Sequence, residues 1–304
     1  MPGLIPSFRF KLVLAFFLIY FIWGSTYLAI RYAIETMPPF FMAGIRFLLA
    51  GFILYIIMRL RGVLNPSFAQ WRRSSVVGSF LFLGGNGLVV WAEQFVNSGL
   101  AALLVSTLPL WLIALDWLWA KGPAPAPRAL LGIALGIVGM FLLVDPASIV
   151  GSGVNTMASL VIIAASVFWA IGSIYSRKVA LPRSIFMSAA CQMIGGGISL
   201  LLVSLLSGEL NELDIHHVSL VSFSAFGYLI IFGSMIAISA YAWLLQNASA
   251  ASVSTYAFVN PAVAIFLGWL IADEAINAQI ALGAGIILLG VFLVISTQFR
   301  RRSA

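Results

Sequence analysis

The chain has 304 residues, of which 62% are hydrophobic and only 8% charged, with a mean hydropathy of +1.09. That leaves too little polar surface to coat a water-soluble globule, so the composition places the chain in a bilayer. A formal charge of +7 invites a nucleic-acid reading, but Lys and Arg recur between apolar runs rather than forming one patch interleaved with exposed aromatics, which argues against it.

The first apolar run, 12 to 34, follows Arg9 and Lys11, as the core of a signal peptide would. Its roughly 23 residues suffice for the ~30 Å hydrocarbon core, and no small-residue cleavage site follows, so it reads as a retained helix. Further runs of about twenty residues occupy 39 to 60, 71 to 91, 98 to 120, 128 to 145, 156 to 177, 183 to 206, 218 to 244, 249 to 271 and 277 to 298. Ten transmembrane helices are therefore expected, punctuated by Pro38-Pro39, the proline-rich 122 to 127 segment, Asp145-Pro146, Leu181-Pro182 and the polar 208 to 217 segment. No connection is long enough for a soluble domain. Cys191, the only cysteine, lies inside an apolar run, which excludes an internal disulfide or a cysteine metal framework. His216-His217 sits beside Asp214 without further spaced ligands, so neither metal nor cofactor is expected.

Charge gives direction, because Lys and Arg are retained on the cytoplasmic side. Loops and ends of one parity hold Arg9, Lys11, Arg59, Arg61, Arg72, Arg73, Lys121, Arg128, Arg177, Lys178, Arg183 and Arg300 to Arg302. The other parity holds Glu35, Glu93, Asp145, Glu209, Glu212, Asp214, Asp273 and Glu274, with Arg31 as its one cation. Both termini are thus expected in the cytoplasm, and a missed helix would have scrambled the alternation. The Asn247-Ala248-Ser249 glycosylation pattern falls on the inner side and is discounted.

Trp91, Gln94, Pro109 and Trp117 recur as Trp243, Gln246, Pro261 and Trp269 at one offset of 152 residues. The offset is 146 for Trp23 with Trp169 and Arg31 with Arg177, and 151 for Gly132 with Gly283 and Gly139 with Gly290, a drift that loop insertions produce. The chain therefore divides into residues 1–150 and 151–304. Five helices per half is an odd number, so the second half enters the membrane inverted. Inverted repeats suit a carrier whose halves rock about a midplane site.

Several stretches resemble the drug/metabolite transporter superfamily, EamA type. They are Ile22-Trp23-Gly24-Ser25-Thr26, Arg46-Phe47, Ser106-Thr107-Leu108-Pro109, Tyr256 to Asn260-Pro261, Asp273-Glu274 and the glycine-spaced closing helix from Gly283 to Gly290. The resemblance implies an all-α bundle of ten helices in two inverted fives, located in a bacterial inner membrane. It further implies export of amino acids, aromatic ones included, and of drug-like amphiphiles. Purines, sugars and other metabolites stay open as alternatives, because the superfamily moves them too. In one departure, Lys121-Gly122 stands in the first half where Asp273-Glu274 stands in the second.

Helix rise places Trp23, Asn86, Ser106, Pro109, Trp169, Ser234, Asn260 and Pro261 near mid-depth, with Tyr27 and Tyr256 one turn from Trp23 and Asn260. These are the candidate cavity residues, with Pro109 and Pro261 as paired hinges. The tryptophans read equally well as packing, and Asn86 as an interhelical hydrogen bond. Arg46, about seven residues into its span, either meets a substrate carboxylate or snorkels to the surface. Asp116 reads as an anchor near headgroup depth before it reads as a proton relay. No central carboxylate pair is visible, so proton coupling is not written in these residues. The glycines of the fifth and tenth spans read as close packing inside a monomer or as a dimer contact. Gly195-Gly196-Gly197 suggests local flexibility. No reactive constellation of an enzyme occurs, and the expected partners are a small, overall neutral substrate and the lipid bilayer.

Overall fold

The computed structural model describes residues 8–119, 124–144, 155–248, 253 and 255–300. Lys121-Gly122, Asp145-Pro146, the Gln246 side chain and the start of the expected ninth span lie outside the described residues. All regular structure among them is helical: α1 Phe8–Ala33, α2 Pro39–Leu60, α3 Phe68–Ala92, α4 Ser98–Val105, α5 Leu108–Leu118 and α6 Pro127–Val144. Then follow α7 Thr156–Lys178, α8 Ile185–Leu206, the short α9 Glu209–Glu212, α10 over 220–247, α11 Tyr256–Ala272 and α12 Ala278–Arg300. Seven helical stretches are long and apolar enough to cross a membrane, namely α1, α2, α3, the α4–α5 run, α7, α8 and the first part of α10. Three shorter apolar stretches lie in α6, α11 and α12.

Local chemistry sets several starts. Ser67 and Gln70 form a reciprocal capping box ahead of α3, Asn155 accepts from the Ala158 amide, and Ser184 and Ser219 cap α8 and α10 in the same way. Large apolar side chains such as Phe17, Phe52, Phe141, Leu202, Phe223 and Trp269 remain exposed. Such a surface is unfavourable in water and natural against lipid tails.

Repeat-related helices pack on each other. The most extensive interface joins α2 to α8, and α6 lies against α12 almost as extensively. A Cβ on Gly139 would fall 3.2 Å from the Gly283 carbonyl oxygen, and one on Gly290 2.6 Å from that of Gly132, so these glycines bring α6 and α12 together within the bundle. The triplet Gly195 to Gly197 lies in an unbroken α8 and faces Ser75, Gly78 and Leu48, so it is a close-packing surface rather than a flexible joint. A Cβ on Gly78 would sit 2.0 Å from the Gln192 carbonyl oxygen. Gly78→Ala is therefore expected to separate α3 from α8 and cost about 1–3 kcal/mol or more, read as a lowered melting temperature in detergent.

Two helices depart from the expected regular spans in the same place. Ser79–Gly87 in α3 and Leu229–Ile236 in α10 are π-helical, and the 152-residue offset superposes much of one on the other. A π segment widens the turn and leaves carbonyls free of the ordinary ladder, which is why such segments mark functional places. The expected fourth span is broken at Ser106-Thr107, and Pro109 opens the second piece at a position where its missing N–H costs nothing. Pro261 sits inside α11 instead.

Candidate transport cavity

A cavity of about 520 Å³ runs between α1, α2, α3, α5, α7, α8, α10 and α11. It reaches from Leu181 and Pro182, in the loop beside Arg177 and Lys178, inward to Ile30 and Val89. We call the first extremity the basic end and the other the acidic end. Its wall is mostly apolar, as small-molecule sites are at roughly 300–1,000 Å³.

One side of the wall is aromatic. The Trp23 ring centroid lies 5.2 Å from both Tyr241 and Tyr256, which meet each other edge to face at 6.1 Å. Opposed, tilted rings of this kind offer an apolar body with polar tips. The π segment of α10 fixes the trio, because the Trp23 Nε1–H donates to the Gly233 carbonyl at 3.3 Å. The corresponding π segment of α3 brings Gly85 against Trp169, where a Cβ would fall 2.7 Å from the indole. Phe82, from the same segment, meets the Trp169 ring edge-on, with the planes tilted by 71°.

The polar side is sparse. Arg46 is buried at 3% exposure, with its guanidinium carbon 4.7 Å from the Phe47 ring centre and its Nε donating to Ser234 Oγ at 2.9 Å. Its Nη1 has no partner among the described residues, and neither has the Asn86 Oδ1. Two unsatisfied polar groups on one cavity wall are costly in a protein interior. A ligand with complementary groups removes that cost. Asn260, with its amide oriented to satisfy its neighbours, donates to the Tyr256 and Tyr20 carbonyls at 3.2 Å.

Of the residues singled out from the sequence, Trp23, Tyr27, Arg46, Asn86, Trp169, Tyr256 and Asn260 line the cavity. Ser106 does not, because its hydroxyl donates back to the Leu103 carbonyl at 2.6 Å. Ser234 stands behind Arg46 and orients it rather than lining the wall. Pro109 is buried in the wall behind Leu108, and Pro261 follows the lining residue Asn260. Asp116 is not among the lining residues and forms an exposed ion pair with Arg177 at 2.8 Å. His217 pairs with Asp214, and no group of three metal-ligating side chains occurs among the described residues.

Sequence reasoning passed over Tyr241, Ser173 and Gln192, which also line the cavity. The repeat itself held the signal. At an offset of 146, Trp23, Tyr27 and Arg46 correspond to Trp169, Ser173 and Gln192; at 152, Leu81, Asn86, Val89 and Leu108 correspond to Gly233, Ile238, Tyr241 and Asn260. Every member of these pairs lines the cavity.

At the acidic end carboxylates are set on helix N-termini, where free amides and the helix dipole favour negative charge. Glu274 pairs with Arg31 and accepts from the Ser98 N–H at 2.9 Å, the Ser98 hydroxyl at 2.8 Å and the Gly99 N–H at 3.1 Å. Glu209 accepts from the Phe40 and Phe41 amides at 3.1 and 2.9 Å. Asp273, with φ of 50°, turns the chain back at the end of α11 so that Glu274 reaches α4.

Helices of membrane-crossing length around an aromatic, partly polar internal cavity define a class, the polytopic membrane protein. The chain belongs to the EamA-like transporter family, whose model matches it twice, over residues 10–145 and 156–296. It is 38% identical over 282 residues to the uncharacterized inner membrane transporter YedA of Escherichia coli K12, covering 92% of this chain and 89% of that protein. It is 24% identical over 293 residues to the uncharacterized transporter YoaV of Bacillus subtilis, covering 96% and 99%. A solved crystal structure shares the fold at a TM-score of 0.64 and 18% identity, covering 93% of this chain and 96% of that one.

Proposed function

We propose that the chain exports neutral and aromatic amino acids and related small amphiphiles across the bacterial inner membrane by alternating access. In this reading α6, α11 and α12 cross the membrane with the seven longer spans. That makes ten spans in two inverted repeats, residues 1–150 and 151–304, with both termini and the basic end in the cytoplasm. The similarity to an inner membrane transporter supports the location. The cavity then faces inward, and the carboxylate-sealed acidic end is its closed outer gate.

The observation that carries the substrate class is the juxtaposition, on one wall system, of the Trp23, Tyr241 and Tyr256 rings with the unpartnered Arg46 Nη1. Rings take an apolar or aromatic body, and the guanidinium takes a carboxylate at a strength that neutral donors do not reach. The same free cation disfavours a cationic drug. The paired prolines, Pro109 at a helix break and Pro261 inside α11, stand as hinges of the rocking motion. In proteoliposomes, labelled phenylalanine is expected to enter saturably and to be accelerated several-fold by unlabelled phenylalanine inside. Flux equal to that of protein-free vesicles, with sugars, nucleosides or organic cations exchanging instead, would remove the amino-acid reading.

A further inference from the structure

Gly233 and Ser234 are consecutive in the π segment of α10, and each holds one half of the ring-and-carboxylate recognition. The Ala237 amide, which an α-helix would give to the Gly233 carbonyl, bonds to the Phe232 carbonyl instead. The Gly233 carbonyl accepts from the Trp23 indole N–H at 3.3 Å. Next to it, Ser234 Oγ accepts from Arg46 Nε at 2.9 Å. Arg46 also comes against Gly233 itself: a Cβ there would fall 3.0 Å from Arg46 Nη2 and 3.0 Å from Thr26 Cγ2. The aromatic anchor and the guanidinium are thus fastened to one turn of one helix.

The backbone does not require a glycine at this position. Positive φ occurs at Gly62 and Gly208 among the described glycines, whereas Gly233 is helical, and alanine is the better helix former. What the missing side chain provides is room for the guanidinium. The repeat supports this by contrast. Leu81 corresponds to Gly233 at the offset of 152, and Gln192 to Arg46 at 146. Where a neutral amide stands in place of the cation, the position carries a full side chain that itself lines the cavity. Gln192 is also tied within its own helix, to Ser188 Oγ at 2.9 Å, while Arg46 reaches across to the π segment of the other half.

We propose that Gly233 and Ser234 are positioning residues that set specificity: by fixing Trp23 and Arg46 relative to each other, they select ligands by the separation of ring and carboxylate. The two subsites adjoin, which favours aromatic amino acids with one methylene between the ring and the α-carbon. A shorter ligand engages one subsite and loses the other. A longer one must crowd its link against the wall or lift its ring from Trp23. The proposal rests on the reading of this cavity as a carrier site that takes ring and carboxylate together, and it adds the rule by which ligands of that class are ranked.

A ladder of phenylglycine, phenylalanine and homophenylalanine, titrated calorimetrically against the purified full chain in detergent, tests it. Phenylalanine should bind tightest, with about a 10- to 200-fold loss for one methylene more or fewer. Gly233→Ala places a methyl group against Nη2 and moves the guanidinium away from Trp23. The preference for phenylalanine over homophenylalanine should then fall several-fold, while phenethylamine, which lacks the carboxylate, keeps its affinity. Ser234→Ala releases Nε without adding volume and should flatten the ladder as well. A wild-type ladder that is flat or peaks at another length overturns the proposal and leaves the carrier reading standing. So does a pair of variants that keep the wild-type ladder, or that weaken every ligand by the same factor, phenethylamine included. Absence of binding by all of these ligands removes the carrier reading and the proposal with it.

Discussion

Glu274→Ala should lower stability by about 3–5 kcal/mol, the cost of removing one partner from a buried charge-assisted network. The carboxylate gathers Arg31, the Ser98 amide and hydroxyl, and the Gly99 amide. Removing it strands two backbone donors at the start of α4, each worth roughly 1–3 kcal/mol when left unmade. The Arg31 contribution is smaller, because a third of that side chain is exposed and solvent screens it. The site is built around the carboxylate: a Cβ on Gly268 would lie 2.4 Å from Oε2, and one on Gly99 3.5 Å from it. Glu274→Gln keeps the size and one acceptor oxygen, and it should recover part of the loss. Thermal melting in detergent measures both, and an alanine variant that melts with the wild type would show that the cap contributes nothing. The same substitution unfastens α1 and α11 from α4, so it should shift the population toward an open acidic end.

Why some of this was legible in the sequence and some not follows from what an apolar helix reveals. Span positions came from run length, and seven of the helical stretches are long and apolar enough to cross a membrane. Position along each helix was legible too, since rise per residue is fixed: Trp23, Asn86, Trp169 and Asn260 all line the cavity. Rotation about the axis was not. A helix apolar on all sides has no stripe to show which face meets lipid and which meets protein. Ser106 and Ser234 therefore had the right depth, yet one turned to its own backbone and the other to Arg46. The π segments carry no sequence signature, because they arise from packing at Gly85 and Gly233 rather than from a residue pattern. Glu93 read as one more acidic loop residue; only the tertiary fold buries it. Had the repeat offsets been applied to every candidate, Gln192 would have been named from Arg46 and Ser173 from Tyr27.

Arg46→Met should weaken phenylalanine binding by about 30- to 1,000-fold, the equivalent of roughly 2–4 kcal/mol for losing one partner of a buried charge pair. Met replaces much of the volume and keeps the contact over Phe47, so the loss reads the charge rather than the packing. Phenethylamine shares the ring and lacks the carboxylate, and its affinity should hold or rise as the cavity loses a cation. Arg46→Lys should rescue little. A lysine has one nitrogen, and Arg46 commits its Nε to Ser234 while Nη1 stays unpartnered, a division of labour that needs the fork. The fold should survive, because burial already holds the Glu93 carboxyl well above the usual carboxylate range and losing Arg46 favours its neutral form further. The variant should also lose its preference for carboxylates over amines of the same ring. Equal losses for phenylalanine and phenethylamine would assign Arg46 to architecture alone, with Ser234 and Phe47 as its only partners.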